Sequence, residues 1–87
     1  MKTIYKYPLE TTDTQVIKIP RYHKILSVQE QNTKLIMWVL VDSNSDEEDV
    51  TIEIFGTGNP INPDFKRFSY ISTVQDFRGL VWHVFRR

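Results

Sequence analysis

The sequence contains no cysteine, and its charges cancel, because eleven Lys and Arg residues balance eleven Asp and Glu residues. Without cysteine, neither a disulfide nor a cysteine-bound zinc or iron–sulfur site can form, which is compatible with a reducing compartment. A chain without net charge is not drawn to nucleic acid as a whole, so nucleic acid is not expected as a partner. We also expect no metal and no cofactor.

Long hydrophobic runs are missing as well. The longest apolar run, residues 35–41, has seven members, whereas a membrane-spanning helix needs about 20. The first seven residues lack the apolar stretch of a secretory signal. We therefore expect a soluble protein of the cell interior, with no membrane as a partner.

Apolar residues at helical spacing are absent over any stretch of ten or more positions, and period-two alternation takes their place. The run between Lys34 and Asp42 is short and rich in bulky and β-branched residues, so it predicts a central strand buried on both faces. Further strands are predicted over residues 2–7, 15–19, 25–31, 50–55, 65–74 and 80–85. About seven short strands indicate an all-β fold, a small antiparallel sandwich or a partly open barrel, in one domain over residues 1–87.

The turn residues predict how the strands connect. Pro8 and Pro20 stop the first two strands, and we expect these two strands to pair as a hairpin. Asn32 and Thr33 predict a tight hairpin before the central strand, because Asn tolerates a positive φ. The acidic segment 42–49 must be solvated, and the turn-rich segment 56–64 is the best candidate for a functional loop.

This loop and the segment after it supply candidate ligand contacts. Thr57, Gly58 and Asn59 could hold a phosphate or carboxylate through backbone N–H groups and a hydroxyl, although the glycine could equally serve only the conformation of the turn. Arg67 lies among aromatic residues, an arrangement that stacks a base and neutralises a phosphate. Ordinary surface charge is the alternative for Arg67.

The two histidines could in principle serve as a general acid and base pair. Phosphoesterases that use a pair of His usually have a hydroxyl residue two positions after each one, and here Ile25 and Phe85 follow His23 and His83 at that distance. We therefore expect no catalytic residues, with a small hydrolase as an alternative, and keep His83 as a candidate ligand contact. Trp38 and Trp82 stand in apolar strands and are predicted to lie in the core or a subunit interface.

Four phrases of the sequence carry a family resemblance. Residues 25–29 read ILSVQ, residues 38–42 WVLVD, residues 54–61 IFGTGNPI and residues 79–85 GLVWHVF. Together they resemble a small uncharacterised protein family encoded mainly by bacteriophages and prophages, and the likeness runs over nearly the whole chain. The resemblance implies a phage accessory protein in the cytoplasm of the infected bacterium, and it implies no catalytic residues.

Small phage accessory proteins often inhibit host factors, including immune systems. We therefore expect a non-enzymatic protein that binds and inhibits, or sequesters, a component of a bacterial defence system. Its partner would be a host defence protein or a nucleotide signal, and the nucleotide would contact Thr57, Asn59, Arg67 or His83. A structural or assembly protein of the virion is the alternative. Because a small β-domain leaves unpaired strand edges, we also expect a homo-oligomer.

Overall fold

The computed structural model describes residues 1–61 and 66–87, and its regular structure consists of antiparallel strands in two sheets. The strands are β1 (Lys2–Leu9), β2 (Thr14–Pro20), β3 (His23–Gln31), β4 (Lys34–Asp42), β5 (Glu47–Gly56), β6 (Ser69–Gln75) and β7 (Val81–Arg86). A three-stranded sheet has the order β1-β4-β3, and a four-stranded sheet has the order β2-β5-β7-β6. The prediction of an all-β sandwich is confirmed, and the sheets do not close into a barrel.

Strand β4 is the middle strand of its sheet, as predicted. Its inner face carries Leu35, Met37, Val39 and Val41, which are buried in one cluster with Val50, Ile52, Ile54 and Val84 of the other sheet. On its outer face Ile36 is buried, but Trp38 and Leu40 are only half-buried. The predicted burial on both faces therefore holds only for the first part of the strand, and Trp38 lies outside the core.

The predicted hairpin between β3 and β4 is present. Gln31 faces Lys34 across the turn, and both central residues have a positive φ, 51° at Asn32 and 69° at Thr33. Two positive φ values give the turn a twist that matches the flanking strands. The Glu30 side chain also accepts a hydrogen bond of 2.8 Å from the Thr33 N–H.

The predicted hairpin between the first two strands is wrong. Strand β1 pairs with β4, and β2 pairs with β5 in the other sheet. Each strand can bury its apolar face only by pairing with a strand that already borders the core, whereas a hairpin of β1 and β2 would stand alone. Strand β2 ends at Pro20, as predicted, whereas β1 continues through Pro8 to Leu9, because a missing N–H costs nothing at the outer side of an edge strand.

The largest of the other differences from the predicted strand boundaries are at β5 and β6. Glu47, Glu48 and Asp49 belong to β5, where they are exposed, and Lys18 on β2 forms an ion pair of 2.7 Å with Asp49. Strand β6 begins at Ser69 rather than at residue 65. Residues 62–65, which include part of the predicted functional loop, lie outside the described residues.

The two sheets meet along β3 and β6, where the Ser72 hydroxyl donates a 3.3 Å hydrogen bond to the Val28 carbonyl. Trp82 points inward from β7 and packs against the core, as predicted. In the described part of the chain, no helix has the length and apolar character needed to span a bilayer.

Candidate functional site

A chain of hydrogen bonds crosses the outer face of the four-stranded sheet at His83. The hydroxyl of Thr57 lies 2.8 Å from His83 Nε2, and the hydroxyl of Thr73 lies 3.1 Å from His83 Nδ1. Tyr70 extends the chain, since its hydroxyl lies 2.8 Å from that of Thr73. We call these four residues the His83 network.

Strand register places these side chains together. Thr73 of β6 is paired with His83 of β7, and Thr57 directly follows β5, the other neighbour of β7. A register shift between Tyr70 and Ser72 inserts a bulge into β6. Because of this bulge, Tyr70 and Thr73 share one face of the sheet although they are three positions apart.

Both ring nitrogens of His83 are engaged by hydroxyl groups. A hydroxyl can donate or accept, so the threonines satisfy either neutral tautomer of the imidazole. His23 is engaged differently, because its Nδ1 lies 2.7 Å from the Pro20 carbonyl, which can only accept. Its Nε2 therefore accepts the 2.9 Å bond from Arg86. Arg86 points inward and His83 outward, so the two imidazoles lie on opposite sides of the four-stranded sheet.

The predicted contact residues converge only in part. Thr57 and His83 are in direct contact, whereas Arg67 is exposed before β6 and is not one of the residues bonded to His83. Gly58 has a φ of 86°, and a Cβ at this position would meet no atom within 4 Å, so the turn requires the glycine's conformation and not its small size. Asn59 closes this turn through a 3.1 Å bond from its N–H to the Gly56 carbonyl.

An aromatic cluster, Phe55, Phe68, Tyr70 and Phe85, lies beside the His83 network on the same face. Phe68 stacks on Phe55 with the ring centres 6.1 Å apart, and Tyr70 meets Phe85 edge to face at 5.6 Å. Tyr70 is 61% exposed, although Phe55 is buried. The cluster therefore presents an accessible aromatic surface and joins the His83 network through Tyr70.

A buried carboxylate lies next to this cluster. Glu53 is only 3% exposed, and its Oε2 accepts a 2.7 Å bond from the Thr14 hydroxyl. Arg87 Nε lies 2.9 Å from Oε1, but its N–H is not aligned with that oxygen, so the contact is an ion pair without a linear hydrogen bond. The Arg87 guanidinium also lies 5.4 Å from the ring centre of Phe68, and it thus ties the cluster to Glu53.

A small cleft opens above Glu53. It has a volume of about 290 Å³ and is lined by Asp13, Thr14, Glu53, Phe55, Asn59 and Pro60. Asn59 thus borders this cleft and does not join the His83 network. Across residues 1–61 and 66–87, no cluster of three or more His, Cys, Asp or Glu side chains is placed to hold a metal ion.

The predicted contact residues did not include Tyr70, Thr73, Glu53 or Arg87. The only signal for Glu53 was its position in the alternating strand 50–55, where it resembles an ordinary outward-facing charge. The hydroxyls of Tyr70 and Thr73 reach His83 across strands, which a search for hydroxyls at fixed distances after each His does not detect.

Comparison with known proteins gives one match. The sequence model of a family described as a domain of unknown function (DUF7352) matches residues 1–87. No curated protein and no solved structure matches the chain.

Proposed function

This chain belongs to the family of the domain of unknown function DUF7352, and we propose that it is a phage accessory protein that inhibits a bacterial defence system by binding one of its protein components. The proposal joins two premises. One is the resemblance of the four sequence phrases to proteins encoded by phages and prophages. The other is the surface chemistry of the four-stranded sheet.

The observation that carries the proposal is the aromatic cluster. Tyrosine and arginine are enriched among the residues that dominate protein–protein binding energies, and an aromatic centre with a polar rim is typical of such interfaces. Here the Thr73 hydroxyl borders Tyr70, and Arg87 lies against Phe68. The Thr57 hydroxyl extends this rim on the far side of His83. A protein partner would cover the rings and could use the rim for hydrogen bonds.

The engagement of both histidines supports binding in preference to catalysis. A general base needs a ring nitrogen within reach of the proton that it removes. Hydroxyls engage both nitrogens of His83, and Pro20 and Arg86 engage those of His23. The His83 imidazole therefore positions side chains on the outer face of the sheet, whereas His23 links the turn before β3 to β7. A small hydrolase is the weaker hypothesis.

Sequestration of a nucleotide through Thr57, Asn59, Arg67 and His83 is less well supported than a protein contact. Asn59 borders the cleft above Glu53, and a buried carboxylate repels a phosphate. The protein would act in the cytoplasm of the infected bacterium, where the defence components are.

The test uses bacterial strains that each carry one defined defence system. Expression of this protein should restore phage plating on at least one strain, and an affinity-tagged copy should retrieve a protein component of that same system. Tyr70→Ala should reduce the affinity for that component by at least about 30-fold, because a central aromatic contact is worth about 2 kcal/mol or more. Tyr5→Ala is the matched control, since Tyr5 is also exposed, at 40%, but lies on the three-stranded sheet.

Two results would overturn the proposal. One is that no strain of a broad panel regains plating. The other is stoichiometric recovery of the protein from purified phage particles by mass spectrometry, which would favour a structural or assembly role in the virion.

A further inference from the structure

A cationic cleft lies at one end of the three-stranded sheet, on the side of the molecule away from the aromatic cluster. Its volume is about 510 Å³, and its lining includes Lys2, Arg21, Tyr22, Lys24 and Asp42. We propose that this cleft binds a nucleotide, with the phosphate held by the three cations and the base stacked on Tyr22. This inference goes beyond the proposed function and stands independently of the protein-binding surface.

The charge balance in the cleft favours an anion. Lys2 and Lys24 lie on the strands that flank β4, opposite Asp42 and Leu40 respectively. Within residues 1–61 and 66–87, the ion pairs are made by the N-terminal ammonium, Lys18, Arg78 and Arg87, and not by Lys2, Arg21 or Lys24. Three cations therefore face the cleft against one carboxylate.

That carboxylate is already occupied. Asp42 Oδ1 accepts hydrogen bonds from the Asn44 N–H at 3.1 Å and from the N-terminal ammonium at 3.2 Å. The bond from Asn44 contributes most to lowering the pKa of Asp42 below its usual value, followed by the bond from the ammonium. The charge of Lys2 also contributes to lowering this pKa, so Asp42 offsets part of the field of Lys2. The charges of Arg21 and Lys24, which form no ion pair within the described residues, remain available to a ligand.

Arg21 and Tyr22 form the turn between β2 and β3, and Lys24 follows on β3. The turn is held by hydrogen bonds to β4 and to the loop between β4 and β5. The Arg21 N–H donates to the Asp46 carbonyl at 2.7 Å, and the Tyr22 carbonyl accepts from the Asp42 N–H at 2.8 Å. The two ring nitrogens of His23 form hydrogen bonds with the Pro20 carbonyl and with Arg86. A binding site fixed in advance loses less conformational freedom when a ligand arrives.

The aromatic side chain makes a nucleotide a better ligand than a bare phosphate. Tyr22 is 66% exposed at the cleft, and its ring can stack on a base. Ligand clefts have volumes of about 300–1,000 Å³, a range that includes this cleft. A free phosphate would leave the ring and most of the volume unused.

The test is isothermal titration of the full chain with AMP, GMP, CMP, UMP and cyclic di-AMP, with inorganic phosphate and adenosine as partial ligands. At least one nucleotide should bind at least tenfold more tightly than either partial ligand. Arg21→Ala and Tyr22→Ala should each weaken binding at least tenfold, and Tyr22→Phe should preserve it. Lys6→Ala is the control, because Lys6 is exposed on the outer face of the same sheet but does not line the cleft.

Amide chemical-shift mapping of the unaltered chain gives a readout that does not depend on variants folding. Shifts on nucleotide addition should concentrate at residues 21–24 and 40–42. The proposal is overturned if no nucleotide binds at millimolar concentration, if phosphate alone binds equally well, or if the shifts concentrate around His83. Binding of a single-stranded oligonucleotide without binding of any nucleotide would also overturn it, since the cleft would then belong to a nucleic-acid surface.

Discussion

Asp76 shows how one residue can fix a turn. It lies directly after β6, is 8% exposed, and accepts five hydrogen bonds. One oxygen accepts from the Arg78 and Leu80 N–H groups, at 2.8 and 3.1 Å. The other accepts from the Trp82 indole at 3.0 Å and from the Arg78 guanidinium at 2.9 Å. Since Trp82 packs against the core, Asp76 connects the β6–β7 turn to the interior.

This arrangement predicts a dependence of stability on pH. The bond from the Trp82 indole contributes most to lowering the pKa of Asp76, to about 2. The carboxyl of an unfolded chain has a pKa of about 3.9. The folded state therefore binds this proton less readily than the unfolded state, so the stabilisation is complete above pH 4 and is lost as the pH falls from about 4 to about 2.

The measurement is urea unfolding of the wild type and of Asp76→Asn between pH 6 and pH 2. Asp76→Asn should have the lower free energy of unfolding at pH 6, and the gap between the two proteins should narrow between pH 4 and pH 2. Asp42, whose pKa is also lowered, is present in both proteins and cancels in the comparison. A gap of constant size over this pH range would contradict the assigned role of Asp76.

At the scale of strands, the local sequence pattern was enough to predict a strand wherever the residues of a single segment determine which of its side chains are buried. The apolar run between Lys34 and Asp42 predicted β4 with its observed bounds, because so short a run of bulky and β-branched residues favours a strand over a helix. The alternation of Val50, Ile52 and Ile54 likewise predicted the buried face of β5. The Asn32-Thr33 turn was predictable because two strands of high β-propensity stand only two residues apart.

Strand partners and the His83 network could not be predicted, because both depend on pairing between distant segments. Strand β1 has one apolar face, and it can bury that face beside any strand that borders a core. The residues of β1 therefore do not determine that it pairs with β4. The bulge in β6 reverses the alternation between Tyr70 and Thr73. A strict period of two would place these side chains on opposite faces, and only the paired structure shows that both approach His83.

The β3–β4 hairpin yields a prediction of increased stability. Thr33 has a φ of 69°, a region that costs a residue with a Cβ about 1–2 kcal/mol. Thr33→Gly removes this cost. The greater conformational freedom of Gly in the unfolded chain offsets about 0.5–1 kcal/mol of the resulting gain in stability. We expect a net gain of about 0.5–1 kcal/mol in the free energy of unfolding from urea titration.

Asn32→Gly is the matched control for that hairpin. Its φ of 51° is also positive, but Asn tolerates this region better than a β-branched residue does. The gain from Asn32→Gly should therefore be smaller than the gain from Thr33→Gly. The opposite order would show that strain at Thr33 does not limit the hairpin.

At the scale of the whole molecule, a net charge of zero conceals two different surfaces. The four-stranded sheet carries the aromatic cluster, and the neighbouring Arg87 is paired with Glu53. The three-stranded sheet carries the cationic cleft, with Lys2, Arg21 and Lys24. The sandwich fold separates these surfaces, because side chains on the outer face of one sheet cannot reach the outer face of the other sheet. Composition averages over both surfaces and therefore revealed neither.

Within the described residues, four strands have a single neighbour in their sheets, namely β1, β3, β2 and β6. Strands β3 and β6 lie where the two sheets meet, whereas β1 and β2 are the edge strands at the other ends of the sheets. Val16 on β2 is 59% exposed. An edge strand that carries an exposed apolar residue favours pairing with another chain, and a lysine there opposes it.

Self-association along β2 is accordingly the prediction at this scale, and sedimentation over a range of protein concentrations measures it. The wild type should form a dimer as the concentration rises, and Val16→Lys should weaken the dimer at least tenfold, because pairing would bring the two lysines and their solvation shells into the contact. Leu80→Lys is the control, since Leu80 is 47% exposed but lies in the turn between β6 and β7, at the opposite side of the sheet. Equal weakening by both substitutions would assign the effect to net charge, and a monomer at every concentration would show that Pro20 and Lys18 already protect this edge.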